Sequence, residues 1–403
     1  MDTALAHAGC DVDETTGAIT PPIHLSSTFE RDRDLSFPKG FIYARSNNPT
    51  RELLEKTLTS LENGGASATF GSGQAAAAAI LQGMPAGHLV MPDDIYHGIR
   101  TLANTVYARW GLRRTEVDMS NLAAATAAIE AAASDVKARG GAARLVVWVE
   151  TPSNPSCKVT DISAVASVAH RLGGLLVVDS TWVTPWICTP IDLGADLVLH
   201  SLTKYLGGHS DLTGGAVIAS PAVAADDGGI FADVRHHQTY VGSGMSPFDC
   251  WLCLRGLRSL GARMRLHCSN AGAVAAFLAT HPGVSKVHYP GLPTHPGHAV
   301  AASQMGGKFG GMLSFEVVGG EQAAVNVAAH LKIFKRATSL GGTESLVEHR
   351  ATIEPPDTPT PRTLLRLSIG LEDPGDLVTD LGTALARRDQ IWTPKLASPA
   401  AHL

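Results

Sequence analysis

A lone lysine stands among hydroxyl groups and glycines near the middle of the chain. Lys204 lies in the stretch GADLVLHSLTKYLGGHSDLTGG, residues 194–215, just after Ser201 and Thr203 and behind an apolar run that predicts a buried strand. A lysine becomes a nucleophile when burial or a neighbouring cation lowers its pKa, and it then forms a Schiff base with an aldehyde. The pattern therefore predicts Schiff-base chemistry at Lys204.

Pyridoxal 5'-phosphate (PLP) is the aldehyde cofactor that uses such a lysine, together with an acidic group for its ring nitrogen and a cradle for its phosphate. Asp179 ends the apolar run GLLVVDS, where a buried carboxylate is costly without a cation. The segment TFGSGQAAAAAIL, residues 69–81, places Gly73 and Gln74 before an alanine-rich helix whose free N–H groups attract phosphate. Each feature alone is often structural, but together they predict a PLP site.

These residues need a scaffold, and the apolar pattern predicts one. Short apolar runs at 144–150, 174–180 and 195–201 predict buried strands, and DISAVASVAHRLG predicts a crossover helix between the first two. This alternation indicates an α/β fold with a parallel sheet and helices on both faces. The three strands end in Glu150, Asp179 and His200-Ser201, at the edge where parallel sheets bind ligands.

The same pattern predicts how the 403 residues are divided. We expect an N-terminal arm over 1–54, a large PLP-binding domain over 55–255, a smaller C-terminal α+β domain over 256–395 and a tail over 396–403. A chain of this length can bury a sizeable core.

Composition excludes several classes of protein. With 44% apolar and 17% charged residues, a formal net charge of −5 and no basic block, neither disorder, nucleic-acid binding nor an anionic membrane partner is indicated. No signal peptide or long apolar run is visible, which predicts a cytoplasmic protein. Cys250 and Cys253 form a lone C-x-x-C without a second ligand pair, so we expect helix packing rather than a metal site, with a redox pair as the alternative.

Nearly the whole chain resembles the Cys/Met-metabolism PLP enzymes, a group that includes cystathionine γ-synthase, cystathionine β- and γ-lyases, methionine γ-lyase and O-acylhomoserine sulfhydrylases. The resemblance rests on the motif segments YARSNNPTRELLE (43–55), DDIYHG (93–98), ETPSNPSCKVTDI, VVDSTWVTPWICTPIDLGADLVLHSLTKYLGGHSDLTGG (177–215), FDCWLCLRGLRSL, SLGGTESL and LLRLSIGLEDPGDL. It implies fold type I, the aspartate-aminotransferase-like architecture.

The resemblance also implies roles for individual residues. Lys204 would be the Schiff-base residue and later carry protons, Asp179 would pair with the pyridinium nitrogen, and Tyr96 would stack on the ring. Phosphate binding is implied for Gly73, Gln74, Ser201 and Thr203 of the same subunit, and for Tyr43 and Arg45 of a neighbouring one. The substrate carboxylate would lie among Asn154, Ser339 and Arg366. The family pattern implies a homo-oligomer, usually a tetramer built as a dimer of dimers, with shared active sites.

Three positions depart from the family pattern. His97 replaces a glycine after Tyr96, Thr338 replaces a Glu or Tyr before SLGG, and Glu354 stands where a threonine is usual. Thr338 and Glu354 would therefore be substrate-pocket residues that either change the preferred substrate or are neutral. Arg366 is the internal partner that would satisfy Glu354 if it does not face the substrate.

The predicted function is a PLP-dependent C–S lyase or γ-replacement enzyme acting on cystathionine or O-acylhomoserine, with an amino acid as its small-molecule partner. The alternative is a β- or γ-lyase for an amino acid with a polar or cationic side chain, suggested by Glu354. An aminotransferase and an inactive assembly or cofactor-binding protein are further alternatives, and the intact set of Lys204, Asp179, Tyr96 and Arg366 argues against the inactive one.

Overall fold

Two β-sheets form the framework of the chain. The computed structural model describes residues 1–10, 12–141, 143–354 and 360–392. The tail predicted at 396–403 lies outside these residues, and the proposed domain boundaries stay predictions.

The larger sheet has seven strands in the order β1-β7-β6-β5-β4-β2-β3. Their bounds are β1 (Ala66–Phe70), β2 (His88–Pro92), β3 (Arg113–Val117), β4 (Leu145–Glu150), β5 (Leu175–Asp179), β6 (Leu197–Ser201) and β7 (Gly215–Ala219). β2 to β6 run parallel to their neighbours in that group, whereas β7 is antiparallel to both β1 and β6. The predicted α/β class with a mostly parallel sheet is confirmed, with β7 as an added antiparallel element.

The apolar runs become strands because both faces of this sheet are covered. Along β4, Val147 and Val149 belong to one core cluster, and Val146 and Trp148 belong to the cluster on the opposite face. Successive side chains of a strand point to opposite faces, so a strand buried on both faces reads as a continuous apolar run.

Helices pack on both faces and continue into the C-terminal region. The α-helices are α1 (Asp2–Ala6), α2 (Pro49–Leu61), α3 (Gly73–Gln82), α4 (His97–Thr101), α5 (Leu122–Arg139), α6 (Ile162–Arg171), α7 (Thr184–Ile187), α8 (Pro221–Ala224), α9 (Ile230–His236), α10 (Pro247–Leu257), α11 (Leu260–Thr280), α12 (His298–Gln304), α13 (Glu321–His330) and α14 (Pro374–Leu385). Short 3-10 turns cover Tyr107–Trp110, Pro190–Leu193 and Arg350–Thr352, and π-helical turns cover Leu102–Val106 and His237–Val241. The predicted crossover helix is α6. The N-terminal arm predicted over 1–54 contains the short helix α1.

The second sheet has five strands in the order β10-β11-β12-β9-β8. Their bounds are β8 (Val284–His288), β9 (Met312–Val317), β10 (Lys335–Arg336), β11 (Leu346–His349) and β12 (Leu364–Ser368). Its core is separate: Leu313, Phe315 and Leu367 pack with apolar residues of α11, α13 and α14. The predicted C-terminal α+β arrangement is thus present.

Across the described part of the chain, no helix combines the length and the apolar character that crossing a membrane requires.

Candidate active site

Lys204 lies just beyond the end of β6 and lines a cavity of about 230 Å³. Its Nζ donates a hydrogen bond to Ser339 Oγ at 2.6 Å. Burial, and secondly the positive charge of Arg366, lower the pKa of Lys204 from 10.5 to about 8. An amine with this pKa has a large neutral fraction close to physiological pH, as a nucleophile or general base requires.

Asp179 ends β5 and lines the same cavity. Its Oδ1 accepts hydrogen bonds from Thr181 N at 3.0 Å and Thr181 Oγ1 at 2.5 Å. Burial raises the pKa of this carboxyl group, against those two hydrogen bonds. No cationic side chain of the described residues forms an ion pair with Asp179, and its Oδ2 accepts no hydrogen bond from them. The site thus holds a carboxyl group that lacks a cation.

Glu150 is a cavity residue that was not among the predicted site residues. It ends β4 directly opposite Asp179 in the strand register, and its Oε2 accepts a hydrogen bond from Tyr96 N at 2.8 Å. Burial first and the Asp179 charge second raise the pKa of Glu150 well above its usual range. Two buried carboxyl groups this close hold one negative charge more easily than two. The signal in the sequence was that two neighbouring strands end in acidic residues.

The N-terminus of α3 forms one end of the cavity. Ser72 caps this helix by accepting a hydrogen bond from Ala75 N at 3.1 Å, and Gly73, Gln74, Ser201 and Thr203 line the wall beside it. A Cβ atom on Gly73 would lie 3.0 Å from Ser201 Cβ, so a side chain there would press on the opposite wall. Free N–H groups of a helix N-terminus beside two hydroxyl groups suit a phosphate.

Tyr96 lies at the start of α4 and lines the cavity near Glu150. Burial raises the pKa of its hydroxyl group. His97 packs edge-on against the Tyr96 ring with centroids 4.7 Å apart. A Cβ on Gly98 would lie only 2.5 Å from Tyr96 Cε1, which explains why a glycine completes this motif.

Arg366 on β12 lines the cavity from the C-terminal sheet. Its Nη1 donates to Asn154 Oδ1 at 3.0 Å, and its Nη2 donates to Ser339 O at 3.0 Å and pairs with Glu348 Oε2 at 2.6 Å. Ser339 has a φ of +88°, a left-handed conformation that a non-glycine residue adopts at a cost. The strained Ser339 thereby directs its hydroxyl to Lys204 and its carbonyl to Arg366. Thr338 also lines the cavity.

Three predicted site residues lie outside the cavity wall. Tyr43 is 46% exposed, and Arg45 Nη1 donates to Thr239 O at 2.6 Å. Glu354 Oε1 accepts from Arg350 Nε at 2.9 Å and Nη2 at 2.6 Å, so its internal partner is Arg350 and not Arg366 as the sequence suggested. Glu354 is not among the described residues that line the cavity. Arg350, which lines the cavity, had not been predicted.

Other features noted in the sequence lie apart from this cavity. The His200 side chain is fully buried, its Nε2 lies 2.5 Å from Glu62 Oε1, and His200 is not among the described residues that line the cavity. Cys250 and Cys253 of α10 are fully buried in the core, consistent with helix packing. A larger cleft of about 750 Å³, which Lys158 lines, shares no wall residue with the Lys204 cavity. There Lys158 pairs with Asp93 at 2.9 Å and Asp118 at 3.2 Å, so we assign the chemistry to the smaller cavity.

The donor set of the cavity fits PLP. A pyridinium N–H would supply the cation that Asp179 lacks, the α3 N-terminus with Ser201 and Thr203 would hold a phosphate, and Lys204 is the amine for the aldehyde. These groups converge on one cavity although they come from three separate stretches of the chain.

Comparisons with known proteins give the same assignment. The family model described as Cys/Met metabolism PLP-dependent enzyme matches residues 2–386. The chain is 43% identical to cystathionine gamma-synthase of Mycobacterium tuberculosis, over 95% of this chain and 96% of that protein. It is 40% identical to cystathionine beta-lyase of Lactococcus lactis, over 96% of this chain and 99% of the other.

A solved structure is equally similar. The cystathionine gamma synthase of Xanthomonas oryzae in complex with cystathionine superposes with a TM-score of 0.86 at 40% identity, covering 96% of this chain and 98% of that one. The predicted fold type I, the PLP cofactor and the classification as a PLP-dependent enzyme of Cys/Met metabolism are confirmed.

Proposed function

Since the chain belongs to the Cys/Met metabolism family of PLP-dependent enzymes, we propose that it acts on an amino acid whose side chain carries a sulfur or acyl-oxygen leaving group. The enzyme either eliminates this group or replaces it with another. The substrate class is cystathionine or an O-acylhomoserine. The names of its relatives, a cystathionine gamma-synthase and a cystathionine beta-lyase, support this class.

One observation carries the proposal: Lys204, Asp179 and Arg366 line a single cavity. A lysine with a pKa near 8, a carboxyl group without a cation and a buried guanidinium are the three groups that reaction at Cα of an amino acid needs. Ser339 joins two of them through its hydroxyl and its carbonyl.

Each residue then has a role in the reaction. When bound, PLP supplies an electron sink that stabilises negative charge at Cα. Arg366 and Asn154 would hold the substrate carboxylate, Tyr96 would stack on the cofactor ring, and Asp179 would keep the ring nitrogen protonated. Gly73, Gln74, Ser201 and Thr203 would hold the phosphate.

Lys204 moves the protons. Its neutral Nζ takes the Cα proton of the substrate, after which a leaving group on Cβ can depart. A leaving group on Cγ requires a second proton to be removed, from Cβ, and Lys204, the base within the same cavity, can remove it after it has passed the first proton to water. Burial keeps this amine neutral enough for both steps.

Assembly is part of the proposal. Tyr43 and Arg45 bind the phosphate in the cavity of a neighbouring subunit, so the active unit is at least a dimer, within a tetramer built as a dimer of dimers. Their exposure outside the cavity of their own chain supports this arrangement.

The proposal also includes the location of the protein, which is the cytoplasm.

A substrate panel tests the reaction. Purified protein with PLP is incubated with cystathionine, with O-acetylhomoserine and with O-succinylhomoserine, the last two in the presence and absence of cysteine. β-Elimination of cystathionine releases pyruvate, γ-elimination releases 2-oxobutyrate, and γ-replacement with cysteine produces cystathionine without a keto acid.

Formation of one of these products, with ammonia released in the eliminations, supports the proposal. Turnover that yields a keto acid while the amino group passes to a second keto acid would replace it with aminotransferase activity. Absence of every product would refute the substrate class, and protein that also stays colourless with PLP would refute the cofactor site.

A further inference from the structure

A second arginine lines the cavity beside Arg366. Arg350 opens the 3-10 turn that follows β11, is 1% exposed, and belongs to the cavity wall together with Tyr96 and Thr338. Long cationic side chains are rarely this buried without a specific partner. The partners of Arg350 show which of its sides is available to a ligand.

Two carboxylates hold Arg350 from the protein side. Its Nη1 donates to Glu348 Oε2 at 2.9 Å, and its Nε and Nη2 donate to Glu354 Oε1 at 2.9 and 2.6 Å. Neither Glu348 nor Glu354 belongs to the cavity wall among the described residues. The cluster of Arg350, Arg366, Glu348 and Glu354 is therefore neutral as a whole but cationic on the side that faces the cavity.

The two arginines are linked through one oxygen. Arg350 Nη1 lies 2.9 Å and Arg366 Nη2 lies 2.6 Å from Glu348 Oε2, so these two nitrogens are no farther apart than the sum of those distances. Glu348 offsets the repulsion between them and fixes both guanidinium groups. A cavity with two fixed cations is suited to a ligand with two anionic groups.

Arg350 also retains donors. A guanidinium has five N–H groups, and the bonds to Glu348 and Glu354 use three of them. A fourth lies 3.5 Å from His97 Nδ1, a weak contact that a ligand can replace. Thr338, a small residue of the same wall, leaves room for a substrate side chain.

We infer that Arg350 binds a second carboxylate at the far end of the substrate side chain while Arg366 binds the α-carboxylate. This inference rests on the proposed function and narrows it to substrates with an anionic end, such as the succinyl ester of homoserine or the distal carboxylate of cystathionine. It reverses the preference for a cationic side chain that Glu354 had suggested, because Glu354 lies behind the arginine.

A pair of unreactive ligands tests the inference by binding alone. L-2-Aminoadipate and L-norleucine have chains of equal length and no leaving group, and they differ in whether the chain ends in a carboxylate or a methyl group. Dissociation constants are measured on the PLP-loaded protein from the change in cofactor absorbance. We expect aminoadipate to bind roughly tenfold or more tightly than norleucine.

Variants then assign that preference to Arg350. Arg350→Gln alone would leave Glu348 and Glu354 buried with one cation fewer and could unfold the protein. The double change Arg350→Gln/Glu354→Gln removes one charge of each sign. It should weaken aminoadipate binding by about 10- to 100-fold and leave norleucine within about threefold. Glu354→Gln alone should strengthen aminoadipate binding, because Arg350 loses a competing carboxylate.

The control is Arg362→Gln/Glu321→Gln, which removes an exposed ion pair of the same two residue types. It should change the dissociation constant of neither ligand. Equal weakening of both ligands in the double variant, or equal binding of both by the unaltered protein, would overturn the inference.

Turnover separates this inference from the proposed function. The unaltered enzyme should favour O-succinylhomoserine over O-acetylhomoserine in kcat/KM, and the double variant should lose that preference and raise KM for cystathionine. Turnover of both esters with no preference would refute the inference that the enzyme selects a substrate with an anionic end, and would leave the proposed function intact. Failure to turn over either ester or cystathionine, with the expected tight binding of aminoadipate, would refute the proposed function. It would leave intact the inference that Arg350 binds a distal carboxylate.

Discussion

At the scale of single residues, burial determines what Lys204 can do. Burial and the charge of Arg366 lower its pKa from 10.5 to about 8, so the neutral amine predominates above about pH 8 and no longer only above 10.5. Covalent capture of PLP by the cofactor-free protein should therefore accelerate with rising pH, with a midpoint near 8. Stopped-flow absorbance of the Schiff-base band gives the rate, and a midpoint near 10.5 would contradict the burial argument.

Replacement of the same residue tests its role. Lys204→Ala should abolish turnover and remove the yellow band that borohydride bleaches, while PLP still binds through the phosphate and ring contacts. The matched control is Lys56→Ala, whose side chain is 71% exposed on α2 and pairs with Glu52. Near-normal turnover in Lys204→Ala would show that another group provides the amine.

At the scale of elements, the start of α3 has little spare room. A Cβ on Gly73 would meet Ser201 Cβ at 3.0 Å and Oγ at 3.1 Å, so Gly73→Ala pushes apart the two walls proposed to hold the phosphate. We expect the dissociation constant for PLP to rise about tenfold, since crowding of a packed site costs roughly 1–3 kcal/mol. Equilibrium dialysis of PLP measures it.

The control for this change is a glycine inside a helix with open space. A Cβ on Gly272 in α11 would meet no neighbouring group of the described chain within 4 Å, so Gly272→Ala adds a methyl group without a clash. It should leave PLP affinity unaltered and raise the free energy of unfolding by up to about 1 kcal/mol, because alanine favours the helix. An equal loss of PLP affinity in both variants would show that the effect of Gly73→Ala is not local.

At the scale of the whole molecule, Tyr43 and Arg45 decide whether a single chain has a complete site. Both lie outside the cavity of their own chain. If Arg45 acts in a neighbouring subunit, mixing inactive Arg45→Ala and Lys204→Ala chains creates hybrid dimers with one intact site. Random mixing should then restore roughly a quarter of wild-type activity.

Activity is measured after the two variants are unfolded together and refolded, with each variant refolded alone as the control. Differently tagged chains confirm that hybrids have formed. Hybrids without activity would place the phosphate contacts within one chain.

Much of this protein is already determined by its sequence. Continuous apolar runs specify the strands that are buried on both faces, and the strand ends Glu150, Asp179 and Ser201 are therefore brought to one edge of the sheet. The local order of hydroxyl groups, lysine and glycines around Lys204 indicates its chemistry, and the order of residues around Gly73 indicates an anion site. The sequence supports these inferences because each depends on residues close together in the chain.

Only the tertiary structure determines which residues line the substrate side of the cavity. Tyr96 lies far from Arg350 and Arg366 in the sequence, and only the packing of the second sheet against the first brings all three to one wall. A carboxylate such as Glu354 is predicted to need a cation, but which arginine supplies it depends on distances that no sequence pattern contains. The register of β11 against β12 places Glu348 opposite Arg366 and within reach of Arg350, so that the neutral ion cluster presents its arginines to the cavity.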